Sequence, residues 1–129
     1  KEESPVIVLD YQDRRPIYEQ VTDKFQILIL NGVLPPGSQM PSVRQLATEL
    51  SVNPNTIQRA YMELEKMGLI YPVKGRGNFV ADSSQVQKIN RESYRKEFTA
   101  LIQKGRNTGF NREELEKMFA EIFEKEDES

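Results

Sequence analysis

The sequence predicts a mainly α-helical fold with a small β component, and three observations carry that expectation. Ser42 and Gln45 stand at the spacing of a helix capping box. Asn53 and Pro54 then suit the cap and first turn of another helix, only a few residues after Leu50. Finally, Lys74, Gly75, Arg76 and Gly77 separate two short β-prone runs, and helical periodicity returns from Ser83 onward.

Taken in order, Val6, Ile7, Val8 and Leu9 follow Pro5 as a short β-branched run that suits an edge strand. Pro16 sits where a first helical residue would, with Glu19 in the first turn and Ile17, Val21, Phe25, Leu28 and Ile29 at helical spacing. Asn31 and Gly32 end this helix, and Pro35, Pro36 and Gly37 punctuate the connection. A second helix starts at Val43, where the Ser42 hydroxyl can accept one free amide and Gln45 can reach back to another. Its apolar positions Val43, Leu46, Ala47 and Leu50 make one narrow stripe. After the break Ser51 to Pro54, a third helix buries Ile57, Ala60, Tyr61, Leu64 and Met67 and stops at Gly68. At 100° per residue, Asn55, Gln58, Arg59 and Met62 fall on the opposite face. Two short helices joined by so tight a turn form a helix-turn-helix.

Leu69 to Val73 and Asn78 to Ala81 read as strands of a hairpin with a basic, glycine-containing tip, a wing. The fold is therefore expected to be a winged helix-turn-helix in residues 1–82, followed by a two-helix tail in 83–129. In the tail, Val86, Ile89, Tyr94, Phe98, Leu101 and Ile102 mark a helix ending near Gly105, before a Gly/Asn-containing turn. Asn111 and Glu114 form a second capping box, and Phe110 is placed to staple against Leu115. The stripe Leu115, Met118, Phe119, Ile122 and Phe123 is too large to leave wet on a short helix.

Composition narrows the function. The 129 residues hold neither cysteine nor histidine, which removes thiolate metal sites, disulfides, the commonest general base and the commonest transition-metal ligand. No phosphate loop, nucleophile triad or metal spacing is present, so no cofactor, no metal and no enzymatic activity are expected. There is no long apolar run, and the expected location is the cytoplasm. A net charge of -2 is unusual for a nucleic-acid binder. Many of the acids lie between Glu113 and Glu128, however, far along the chain from the helix-turn-helix, so a local basic face can coexist with an acidic whole.

Arg44 stands in a first helical turn, where a cation opposes the helix dipole unless something anionic sits beside it. A DNA phosphate fits that position, and solvation or pairing with Glu49 is the plainer alternative. Asn55, Gln58 and Arg59 have the chemistry to read base edges, although each taken singly suits an ordinary polar helix face. Thr56, at the edge of that face, is better placed for a phosphate. The Lys74 to Gly77 tip could be only a soluble turn, but its glycines also permit close backbone approach and its arginine suits a narrow minor groove.

The stretch PPGSQMPSVRQLATELSVNPNTIQRAYMELEKMGLIYPVKGRGNFV, preceded by RPIYEQV, resembles the DNA-binding domain of GntR-type bacterial regulators over about residues 10 to 82. The segment VNPNTIQRAYMELEKMGLI is similar in particular to the YtrA-like and MocR-like branches. The resemblance implies DNA contacts from Arg44, from Asn53 through Gln58, and from the wing. Some branches, FadR-like proteins among them, carry arginine where this chain has Pro54 and Gln58, so their operator does not carry over. MocR-like, FadR-like and HutC-like proteins append large C-terminal domains. The short helical tail here resembles instead the YtrA-like group, whose tail serves dimerisation.

The resulting expectation is a transcription regulator, with repression the favoured sign, that binds a two-fold double-stranded operator as a homodimer. Its DNA-binding residues are expected to be Ser42, Arg44, Asn53, Asn55, Thr56, Gln58, Arg59, Lys74, Gly75, Arg76 and Gly77. Tyr94, Phe98, Leu101, Leu115, Met118, Phe119, Ile122 and Phe123 are expected to form the dimer seam, where a groove leaves room for an unidentified small-molecule effector. The alternative is a winged-helix protein-interaction module whose polar third-helix face meets protein.

Overall fold

A computed structural model of the chain describes residues 7–127. Its elements run α1 (Ile17–Leu30), α2 (Val43–Leu50), α3 (Pro54–Lys66), β1 (Ile70–Val73), β2 (Gly77–Val80), α4 (Ser84–Thr108) and α5 (Arg112–Asp127). They divide into two compact units, Lys1–Gln87 and Lys88–Ser129. The fold is the mainly helical one with a small antiparallel hairpin that the sequence predicts.

The first unit is built around α3, which packs against both α1 and α2. The periodic stripes account for this directly: Val21, Phe25 and Ile29 of α1, Leu46, Ala47 and Leu50 of α2, and Ile57, Ala60, Tyr61 and Leu64 of α3 are all buried in one cluster. Phe25 and Tyr61 meet edge to face with ring centres 5.9 Å apart, a favoured aromatic geometry. The Tyr61 hydroxyl donates to the Pro41 carbonyl at 2.8 Å, which satisfies its polar end inside the core. Burial pushes this phenol above its ordinary titration range. Leu69, Ile70 and Val80 contribute the hairpin's share of the core.

The strands pair antiparallel in the register Ile70 with Val80 through Val73 with Gly77. The first starts one residue later than expected and the second is shifted one residue earlier, although the Ala81 amide still donates to the Leu69 carbonyl at 2.9 Å. The far edge of β2 is covered as well. Gly37 and Met40 amides donate to the Val80 and Asn78 carbonyls, and the Val80 amide donates to Ser38, each at 2.8 Å. The connection after Gly37, which reads only as punctuation, thus supplies a third extended segment.

Several local expectations need correction. Ile7 and Leu9 are buried with Val8 exposed between them, but residues 7–9 join no ladder, and Val6 lies outside the described residues. Pro16 is the cap residue of α1 rather than its first helical residue, with ψ of 145°, and its carbonyl accepts from the Glu19 amide at 3.1 Å. Met67 caps α3 and stays partly exposed, because the chain leaves the helix there and Leu69 enters the core in its place. At α2 the capping box is half formed. Ser42 Oγ accepts from the Gln45 amide at 3.0 Å, but the Gln45 side chain turns to Glu49 Oε1 at 3.4 Å.

In the second unit, Gly105 lies inside α4 and not at its end. The helix stops at Thr108 through a left-handed Gly109 (φ +112°), with the Gly109 amide donating to Arg106 and the Phe110 amide to Gly105. That pair of bonds is a Schellman motif. Gly105 is instead a contact point, since a Cβ there would stand 3.3 Å from Leu115 Cδ2 of α5. The second capping box is complete, with Asn111 Oδ1 accepting from the Glu114 amide at 2.8 Å and Glu114 Oε1 from the Asn111 amide at 3.0 Å.

Candidate nucleic-acid interface

The third helix divides cleanly into two faces. Ile57, Ala60, Tyr61 and Leu64 are buried, while Asn55, Gln58, Arg59 and Met62 are exposed and Thr56 is half-buried. Such a split follows from the spacing, and it leaves one polar helix face anchored from behind by the core. Among the described residues the Asn55 and Gln58 side-chain amides make no hydrogen bond, so their donors and acceptors are available to a ligand.

The residues around this face have more definite assignments. Asn53 caps α3, its Oδ1 accepting from the Asn55 amide at 2.8 Å, and Pro54 fills the first turn. Ser42 caps α2 in the same way. Both side chains therefore shape helix N-termini, whose free amides and positive dipole end suit an anion. Arg44 is exposed in the first turn of α2, which contains no acidic residue, and it forms no ion pair among the described residues. Its plainer partner, Glu49, is engaged by Gln45.

Arg59 has an unexpected neighbour. Its guanidinium carbon lies 3.8 Å from the ring centre of Tyr18 in α1, a cation–π stack that restrains it at the side of the face. Nothing in the periodicity of α3 signals this, because the ring comes from another helix. At the wing, Lys74, Gly75 and Arg76 form the tip, Gly75 and Gly77 take positive φ, and neither cation is in an ion pair among the described residues. Behind the tip, Tyr71 and Phe79 stack across the strands with centres 6.1 Å apart. Gln39 is a second residue missed from the sequence. Its Nε2 donates to the Arg76 carbonyl at 2.7 Å across a sequence separation that no local pattern reports.

The expected seam residues belong to the second unit. All are exposed except Leu115, which is half-buried. Tyr94 stacks with Phe98 at 6.2 Å, and Phe119 meets Phe123 at 4.8 Å. Phe98, Ile102, Phe110, Leu115 and Phe119 line an apolar groove of about 690 Å³. No helix among the described residues is long and apolar enough to cross a membrane.

A helix pair with a tight turn, an exposed polar second helix and a basic-tipped hairpin together define a winged helix-turn-helix DNA-binding protein. Comparison with known proteins agrees. Residues 17–80 match the family model for bacterial regulatory proteins of the gntR family. The chain is 34% identical over 119 residues to the HTH-type transcriptional repressor YtrA of Bacillus subtilis (strain 168), covering 91% of this chain and 92% of that relative. A crystal structure of a transcriptional regulator from Oenococcus oeni superimposes with a TM-score of 0.69 at 28% identity, covering 89% of this chain and 97% of that one. AraR(DBD), crystallised in complex with an operator, matches 57% of this chain and 90% of its own at 32% identity and a TM-score of 0.51. The chain belongs to the GntR family, in its YtrA-like subgroup, and is a sequence-specific DNA-binding transcriptional regulator.

Proposed function

We propose that the protein is a repressor that binds a two-fold symmetric operator as a homodimer. The observation that carries this reading is the α3 face on which Asn55 and Gln58 stand exposed with unused amides while the opposite face is locked into the core. In this reading α3 enters the major groove, where Asn55 and Gln58 pair with adenine edges. Arg44, with the amides at the start of α2, holds a backbone phosphate and sets the register without reading sequence. Thr56 and the restrained Arg59 flank the base-reading pair, and the wing places Lys74 or Arg76 against an adjacent minor groove or its phosphates. The exposed apolar stripe of α4 and α5 joins two copies.

Support comes from relatives as well as geometry. The B. subtilis relative is named a repressor, and the AraR structure shows a similar domain on an operator. In this reading the protein works in the cytoplasm, where bacterial DNA lies. A salt titration tests the reading: with several phosphates neutralised, the logarithm of duplex affinity should fall steeply and linearly with the logarithm of salt concentration. A flat response, or no duplex binding, would favour a module that meets protein instead.

A further inference from the structure

We propose that Gln39 is a positioning residue for the wing, presenting Arg76 to DNA by holding that residue's backbone. The proposal rests on the reading of the wing as a DNA contact and adds what orders it. A three-residue tip with one glycine inside it at φ +77° and another directly after it at φ +109° has wide conformational freedom when nothing else restrains it. Here both backbone polar atoms of Arg76 are engaged. Its amide donates to the Val73 carbonyl at 2.9 Å, closing the turn from inside the hairpin. Its carbonyl accepts from Gln39 Nε2 at 2.7 Å, from the segment beyond β2.

Gln39 is itself well placed to serve as the fixed point. It bridges to Phe79 of β2, and the hydrogen bonds of its neighbours Ser38 and Met40 to β2 tie its backbone to the hairpin. Its side chain thus extends the backbone ladder one step further, to the tip. Gly77 leaves the space for this, since a Cβ there would stand 3.1 Å from the Gln39 amide nitrogen. Meanwhile the Arg76 guanidinium forms no ion pair among the described residues. Gln39 therefore restrains the backbone and leaves the charge available. Ordering the tip before DNA arrives lowers the entropy lost on binding.

The test is a double-mutant cycle on operator affinity in the whole protein, with thermal melts alongside. Gln39→Met keeps the length of the side chain and removes its donor. It should weaken operator binding about fivefold, the scale of one hydrogen bond, with an unchanged melting temperature. In an Arg76→Ala background the same change should have almost no effect, because the backbone being held no longer carries the contacting side chain. An equal loss in both backgrounds, the pattern of a general folding defect, would overturn the proposal. So would full affinity in Gln39→Met while Arg76→Ala binds weakly. If Arg76→Ala itself bound as tightly as the parent, this proposal would fail, while the reading of the wing as a DNA contact would then rest on Lys74 and be tested by Lys74→Ala.

Discussion

Ser51 closes α2 with φ 57° and ψ 44°, the one non-glycine residue at positive φ among those described. An L-residue in that region meets its own carbonyl, and the tight turn into α3 makes the conformation unavoidable. Ser51→Gly should therefore stabilise the protein by up to about 1 kcal/mol in urea denaturation, whereas Ser51→Val should destabilise it. Tyr61→Phe should cost about 1 to 2 kcal/mol, since the Pro41 carbonyl loses its donor inside the fold. Because burial raises the Tyr61 titration point in the folded state, stability is intact below the ordinary value of 10.0 and declines as pH climbs past it. At the interface, Arg44→Ala should weaken operator and unrelated duplex by similar factors. Gln58→Ala should instead relax preference at particular base pairs, with about 1 to 3 kcal/mol at stake for a bidentate contact. The place of Arg44, exposed in the first turn of a capped helix, was legible because dipole and capping arguments need only its immediate neighbours. The Arg59 stack was not, because it depends on Tyr18 in a different helix.

At the scale of elements, the helix stripes and N-terminal caps could be read from sequence because both are set by residues three or four positions apart. The Asn111–Glu114 box forms as expected, and Asn111→Ala should cost about 1 kcal/mol, visible as reduced helicity on mild heating in circular dichroism. Gly105 shows the limit of local reading. A glycine after an apolar run looks like a stop signal, yet here it lets Leu115 approach α4, and Gly109 ends the helix. Gly105→Leu should accordingly disturb the packing of α5 and lower the melting temperature of the second unit, while Gly109→Ala should act through backbone strain alone. The third extended segment at 37–40 escaped for a related reason. A single bridge and three ladder bonds to β2 arise from tertiary placement, in residues whose local signals are those of a loop.

For the molecule as a whole, the proposed function hangs on joining two winged helices. Phe119 and Phe123 are each 56% exposed, which is costly for large aromatic side chains and would be relieved by burial against the proposed second copy. Phe119→Glu combined with Phe123→Glu should yield a monomer by light scattering with its first unit still folded. Its operator affinity should fall far more than its nonspecific affinity per domain, because tethering no longer raises the effective concentration at the second half-site. The most direct measurement of the central claim is selection of bound sequences from a random duplex library by the intact protein. The account predicts an enriched motif with two-fold symmetry, its half-sites one helical turn or a small multiple apart. Enrichment of a single asymmetric half-site, or no enrichment at all, would contradict it.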